Sequence, residues 1–76
     1  MTKIRVLRLL AERGGWVSPR EIAIRVFTVR AYDGVWSYML KLARWGLVKR
    51  RERPWGIEYA ITKRGRQRLA WLTSFL

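Results

Sequence analysis

Several residue types that carry chemistry are missing from this chain of 76 residues. It has no cysteine, which excludes disulfides, thiolate zinc sites and cysteine nucleophiles. It has no histidine, so it lacks the commonest metal ligand and the commonest general base near neutral pH. The five acidic residues are too scattered to form an acid/base pair, and no phosphate-loop glycine pattern occurs. The sequence therefore predicts a protein that is not an enzyme and that needs no metal and no cofactor.

Long apolar runs are also missing. No stretch approaches the roughly 18 apolar residues of a membrane span. Lys3, Arg5 and Arg8 interrupt the apolar residues of the amino terminus, so no signal-peptide core is present. Half of the residues are nevertheless hydrophobic, which argues against a disordered basic tail. We therefore expect one folded domain over residues 1–76, located in the cytoplasm with the nucleoid.

What the chain has in excess is positive charge. Seventeen basic and five acidic residues give a formal charge of +12. Ten of the basic and two of the acidic residues lie in the second half, 39–76. Such a field attracts polyanions, nucleic acid first and an anionic membrane surface second. We expect nucleic acid as the partner and no membrane.

Hydrophobic spacing and capping residues predict four helices and one hairpin. Ser18 and Glu21 form a capping box that starts the second helix, with Pro19 in its first turn. The run 54–56, Pro-Trp-Gly, fits a three-residue hairpin loop whose glycine takes a positive φ. The predicted order is a helix over about 2–13, a short extended piece at 16–17, a helix from 18, a helix over 31–45, a hairpin over 47–62 and a last helix from 63.

This order resembles the winged helix-turn-helix domain, and three runs strengthen the likeness. They are WVSPREIA (16–23), LARWGLV (42–48) and YAITKRG (59–65). The last two are similar to the end of the recognition helix and to the run that closes the wing in MarR-like and PadR-like bacterial and archaeal regulators. The resemblance covers about residues 4–72. It implies an α+β, mainly α fold, with a three-helix core, a β-hairpin wing and a C-terminal helix.

The resemblance also implies that helix 31–45 enters the major groove of DNA and that hairpin 47–62 contacts DNA as a wing. Helical spacing puts Val35, Met39 and Leu42 on one apolar side of that helix, and Gly46 ends it. Ser37, Lys41 and Arg44 lie opposite the apolar side, where base edges and phosphates are within reach. Basic residues of the hairpin suit phosphates or the minor groove. The expected DNA-binding residues are Arg20, Arg30, Tyr32, Ser37, Lys41, Arg44, Lys49, Arg51, Arg53 and Trp55.

A further basic cluster starts the last helix, at Lys63, Arg64, Arg66 and Arg68. Cations are disfavoured at this end of a helix dipole, so either a bound polyanion or simple solvation accounts for them. On the same last helix, Trp71 and Phe75 lie four residues apart. Together with Ile4 and Leu9 of the first helix, they are candidates for a homodimer interface or for core residues.

The function expected from these features is that of a sequence-preferring, double-stranded DNA-binding transcription regulator. Three alternatives stay open. An architectural, nucleoid-type protein would derive its affinity almost wholly from phosphate contacts. A winged-helix protein-interaction module would bind no DNA, and RNA is a further possible partner for a basic and aromatic surface.

Overall fold

The computed structural model describes residues 2–27 and 32–75, without the side chains of Tyr32 and Asp33. Within these residues the chain forms a small α+β fold, as predicted, with four helices and one antiparallel hairpin. The elements are α1 (Thr2–Arg13), α2 (Pro19–Arg25), α3 (Tyr32–Arg44), β1 (Val48–Arg53), β2 (Gly56–Ile61) and α4 (Lys63–Thr73). None of the described helices is long and apolar enough to cross a membrane.

The start of α2 confirms one half of the predicted capping box. Ser18 is the N-cap, and its Oγ accepts a hydrogen bond from the backbone N–H of Glu21 at 3.2 Å. The carboxylate of Glu21 does not complete the box, because it forms an ion pair with Arg13 at the end of α1. The second half of the prediction is therefore wrong, because the Glu21 carboxylate pairs with Arg13 and not with the backbone of Ser18. This pair ties α1 to α2.

The turn from α3 into β1 holds three elements together. Gly46 has a φ of 75°, a conformation that glycine adopts at little cost. Its N–H donates to the carbonyl of Ala43 at 3.0 Å, and the N–H of Leu47 donates to that of Leu42 at 3.0 Å, which is the Schellman pattern. The hydroxyl of Thr62 then donates to the carbonyl of Gly46 at 2.6 Å. The end of α3 is thereby fixed against the start of α4.

The hairpin pairs Val48 with Ile61 at its base and Arg53 with Gly56 at its tip. Its connection is therefore two residues long, Pro54–Trp55, and the predicted three-residue loop is wrong in length because Gly56 already pairs as part of β2. The φ of Gly56 is 136°, positive as predicted. The hairpin bounds are 48–61 rather than 47–62.

The predicted extended piece at 16–17 joins the hairpin through one bridge. Val17 donates to the carbonyl of Tyr59 at 2.7 Å, and Tyr59 donates to that of Val17 at 2.8 Å. Because β1 pairs along one edge of β2, these two bonds lie along the other edge of β2. They bring Trp16 next to the hairpin.

The core lies between the helices and the inner side of the hairpin. Among the described residues, its buried hydrophobic side chains come from every element except α4. Helix α4 instead packs through a close approach at Gly65, where an added Cβ would lie 2.1 Å from the carbonyl oxygen of Leu47 and 2.7 Å from Cγ1 of Ile61. Leu69 and Leu72 continue the same stripe as half-buried residues. Leu76 lies outside the described residues.

Candidate nucleic-acid interface

Helix α3 has one buried and one exposed side, as its spacing predicted. Val35, Met39 and Leu42 are completely buried. On the opposite side lies a stripe that we call the α3 face, made of four exposed residues: Gly34, Ser37, Lys41 and Arg44. Within the part of the chain that the structure describes, none of the three side chains of this face forms a hydrogen bond or an ion pair. The α3 face therefore offers one hydroxyl and two cations to a ligand.

Neither packing nor backbone conformation requires a glycine at position 34. A Cβ added there would meet no atom within 4 Å, and its φ is not in the left-handed region. Glycine in a helix costs stability relative to alanine, by roughly 0.5–1 kcal/mol. The residue leaves the first turn of α3 without a side chain on its exposed side.

The aromatic residues that flank the α3 face differ from each other. Tyr38 is half-buried and packs edge-on against Phe27, with ring centroids 5.7 Å apart. This burial raises the pKa of its hydroxyl. Trp36 stays 46% exposed. Leu40 is half-buried. Tyr38 therefore belongs to the edge of the core, whereas Trp36 is accessible.

The hairpin carries a second cluster, on the side of the strands that faces away from the core. We call it the hairpin surface; its members are Trp16, Lys49, Arg51, Trp55 and Glu58. The Nε of Arg51 donates to Oε1 of Glu58 at 2.8 Å, and Nε1 of Trp55 donates to Oε2 at 3.2 Å. The guanidinium carbon of Arg51 lies 4.2 Å from the ring centroid of Trp16, and Nζ of Lys49 lies 5.4 Å from it. Both cations are thus held by partners within the chain.

The hydrogen bonds to Glu58 have an electrostatic consequence. The hydrogen bond from Arg51, then that from Trp55, lowers the pKa of the Glu58 carboxyl below its ordinary value of 4.5. A carboxylate that is stabilised in this way stays ionised through neutral and mildly acidic pH. The carboxylate of Glu58 therefore compensates the charge of Arg51 at neutral and mildly acidic pH.

The other arginines of the hairpin make fewer contacts within the described chain than Arg51 does. Arg53 is exposed and, among the described residues, forms no hydrogen bond or ion pair, although its charge also lowers the pKa of Glu58. Arg50 makes one long contact to Glu52, at 3.4 Å. We expected Arg51 and Arg53 to act alike, but their surroundings differ. Trp55 is 72% exposed at the tip.

Two expected residues, Arg20 and Arg53, belong to neither cluster, and for two more the structure describes no side chain. Arg20 is exposed in the first turn of α2. Arg30 lies outside the described residues, and so does the side chain of Tyr32, although its backbone begins α3. Of the expected set, the structure groups three residues on the α3 face and three on the hairpin surface.

A basic groove, which the sequence did not predict as a unit, lies where α1, α3 and α4 meet. Its volume is about 440 Å³, and it is lined by Lys3, Arg44, Trp45, Leu47, Arg64 and Arg68. The Nζ of Lys3 lies 4.6 Å from the ring centroid of Trp45. The sequence identified Arg64 and Arg68 as part of the basic cluster that starts the last helix. Lys3, in contrast, belongs to the first helix. Only tertiary packing brings Lys3 to the groove.

The residues proposed for a dimer interface differ in how exposed they are. Ile4 is buried within the single chain, at 5% exposure, so it is core and does not belong to an exposed interface. Leu9 is half-buried against the core. Trp71 and Phe75 are 55% and 72% exposed and contact each other edge-on, with ring centroids 5.0 Å apart. The homodimer itself stays a prediction.

Sequence reasoning missed two residues of the hairpin surface. Glu58 was missed because the predicted three-residue loop shifts the register by one, whereas the observed two-residue loop places residues 51 and 58 opposite each other, where opposite charges attract. No sequence signal indicated Trp16, because its position beside the hairpin depends on the bridge between Val17 and Tyr59.

Comparisons with known proteins add no family to this description. Searches against protein-family models and against curated proteins found no match. In residues 2–27 and 32–75, no group of three or more carboxylate, histidine or cysteine side chains is placed to hold a metal ion. Inferences about function therefore depend on the residues and their arrangement.

Proposed function

We propose that this chain is a double-stranded DNA-binding protein of the winged helix-turn-helix type, and that it acts as a sequence-preferring transcription regulator. The observation that carries this proposal is the division of α3 into a buried apolar side and an exposed side with Ser37, Lys41 and Arg44. The high net charge of +12 supports the choice of a polyanionic partner.

Helix α3 is the proposed recognition helix. A helix that enters the major groove must be anchored on one side and free to reach base edges on the other. Val35, Met39 and Leu42 supply the anchor. Ser37 suits either a base or a phosphate, and Arg44 offers the planar fork that binds guanine. The open position at Gly34 leaves room for the sugar-phosphate chain.

The β1–β2 hairpin is the proposed wing. Arg53 is the residue that we assign to a phosphate contact or to the minor groove. Arg51 has a different role in this proposal, because Glu58 and Trp16 hold it in place. It stiffens the wing and contributes little net charge.

Sequence preference distinguishes a regulator from an architectural protein. Arginine outnumbers lysine by 13 to 4, which favours base reading, because arginine binds bidentately and lysine does not. The test is the selection of bound fragments from random duplex DNA at near-physiological salt, with the wild type and with the variants Lys41→Gln and Arg8→Gln. Arg8 is an exposed cation of α1 outside both clusters, so it controls for lost charge.

Enrichment of a common motif by the wild type and by Arg8→Gln, with weaker recovery by Lys41→Gln, would support the proposal. Recovery of unenriched DNA would show an architectural protein instead, since affinity would then come from phosphates alone. No recovery of DNA at any salt concentration would reject DNA binding and favour an interaction module. A palindromic motif would indicate a dimer.

A further inference from the structure

The basic groove between α1, α3 and α4 gathers several cations in one cavity. Four of its six lining residues are cations, Lys3, Arg44, Arg64 and Arg68, and none is acidic. The three ion pairs of the described residues lie elsewhere, at Arg13, Arg50 and Arg51. The groove therefore collects positive charge that no carboxylate of the described chain compensates.

Two further features add to this excess. Helix α4 begins with Lys63 and Arg64 and has no acidic residue in its first turn, so the positive end of its dipole adds to the cations instead of opposing them. Lys3 is held near the groove by the ring of Trp45. Repulsion between like charges in one cavity is unfavourable, and an anion in the cavity would relieve it.

We propose that this groove is a binding site for phosphate groups. Arginine is suited to bidentate contacts with phosphate, and three of the four cations are arginines. The volume of about 440 Å³ falls within the range of small-ligand pockets, roughly 300–1,000 Å³. The groove thus has room for more than one phosphate group. The phosphate belongs either to a free polyphosphate or nucleotide, or to the backbone of a second DNA duplex.

The site is separable from the α3 face, although the two share Arg44. Arg64 and Arg68 lie on α4, where they line the groove and a neighbouring depression with Gln67 and Trp71, and neither belongs to the α3 face. Lys41 lies on the α3 face and does not line the groove. Variants at these positions therefore distinguish failure of the groove from failure of the proposed DNA-binding function.

The first experiment is a calorimetric titration of the full chain with inorganic pyrophosphate. We expect Arg64→Gln/Arg68→Gln to weaken binding at least about tenfold, since each arginine supplies charge-assisted hydrogen bonds. The control Arg8→Gln/Arg66→Gln removes the same two charges from exposed positions outside the groove, and Lys41→Gln removes one from the α3 face. Both should retain binding within about threefold of the wild type, because only long-range charge is lost.

Equal weakening by the two double variants would overturn the proposal, because it would show a nonspecific charge effect. Absence of pyrophosphate binding by the wild type would overturn it as well. Thermal unfolding of each variant checks that exposed substitutions have left the fold intact. These outcomes do not depend on DNA binding by α3.

A second experiment identifies the source of the phosphate. Protein is bound to an immobilised duplex and offered a second, fluorescent duplex. Capture that is lost in Arg64→Gln/Arg68→Gln but kept in Arg8→Gln/Arg66→Gln assigns the site to DNA backbone. No capture by the wild type, together with pyrophosphate binding, assigns it to a small phosphate ligand. Capture retained by both double variants would exclude the duplex as the ligand of the groove.

Discussion

The α3 face and the hairpin surface carry similar charges but hold them differently. On the α3 face, the side chains of Lys41 and Arg44 form no hydrogen bond or ion pair with described residues. On the hairpin surface, Arg51 is bound by Glu58 and by the ring of Trp16. The cations of the two surfaces have the same formal charge, but they differ in whether a partner within the chain already binds them.

The difference bears on what each surface can contribute to DNA binding. A cation without an internal partner offers its full charge to a phosphate, but it loses side-chain freedom when it binds. A cation held by a carboxylate is already ordered, yet its charge is largely compensated. We therefore infer that the α3 face supplies affinity and base reading, and that the hairpin is a rigid wing whose uncompensated charge lies on Lys49 and Arg53.

The largest effect is expected from a change that removes both surfaces at once. Gly65→Ala would place a methyl group 2.1 Å from the carbonyl oxygen of Leu47, and this backbone atom cannot move aside easily. We expect a loss of about 3 kcal/mol in the free energy of unfolding, measured by denaturant unfolding. The control Gly34→Ala meets nothing within 4 Å and should stabilise the protein by roughly 0.5–1 kcal/mol. Equal stability of the two variants would contradict the packing described for α4.

The next effect tests base reading by the α3 face. Arg44→Lys keeps the charge but removes the planar fork. We expect the preference for selected over scrambled duplex to fall by about 1–3 kcal/mol if a bidentate guanine contact is lost. The measurement is the ratio of the two affinities at one salt concentration, with Arg8→Lys as the control. An unchanged ratio would remove Arg44 from base reading.

A smaller effect separates the two arginines of the hairpin. Arg53→Gln should reduce the slope of log affinity against log salt by about 0.9, the value for one phosphate contact, on any DNA sequence. Arg51→Gln should change the slope less, because Glu58 already compensates Arg51, but it should lower the melting temperature slightly. Anisotropy titrations and thermal unfolding measure the two effects. Identical slopes for the two variants would show that the ion pair does not restrain Arg51.

The smallest effect is the pH dependence of that ion pair. The folded-state pKa of Glu58 is lowered below 4.5, so its contribution to stability is present above pH 4.5 and is lost as the pH falls through the lower, folded-state pKa. The difference in melting temperature between the wild type and Glu58→Gln should therefore be constant from about pH 7 to 5. It should shrink in more acidic buffer. A difference that shrinks between pH 7 and 5 would argue against a lowered pKa.

Local signals in the sequence predicted most of the fold. The spacing of Val35, Met39 and Leu42 identified the buried side of α3, and Ser18 and Gly46 marked where elements begin and end. These features depend on neighbours within one or two helical turns, which is why they are readable without the tertiary structure.

What could not be predicted depends on contacts between distant parts of the chain. The stacking of Arg51 on Trp16 requires the bridge between residues 17 and 59. The groove requires α1 to pack against α4, which brings Lys3 close to Arg64. The sequence left Ile4 open as an interface or a core residue, and its burial in the core follows from packing that helical spacing alone does not define.

The most direct test of DNA binding by α3 is the affinity for one duplex, measured from 50 to 200 mM salt, for the wild type, Lys41→Gln and Arg8→Gln. We predict that the affinity of the wild type falls steeply with salt and that Lys41→Gln lowers the slope by about 0.9. Arg8→Gln should leave the slope close to that of the wild type. A wild-type affinity that does not respond to salt, or equal slopes for all three proteins, would contradict the account.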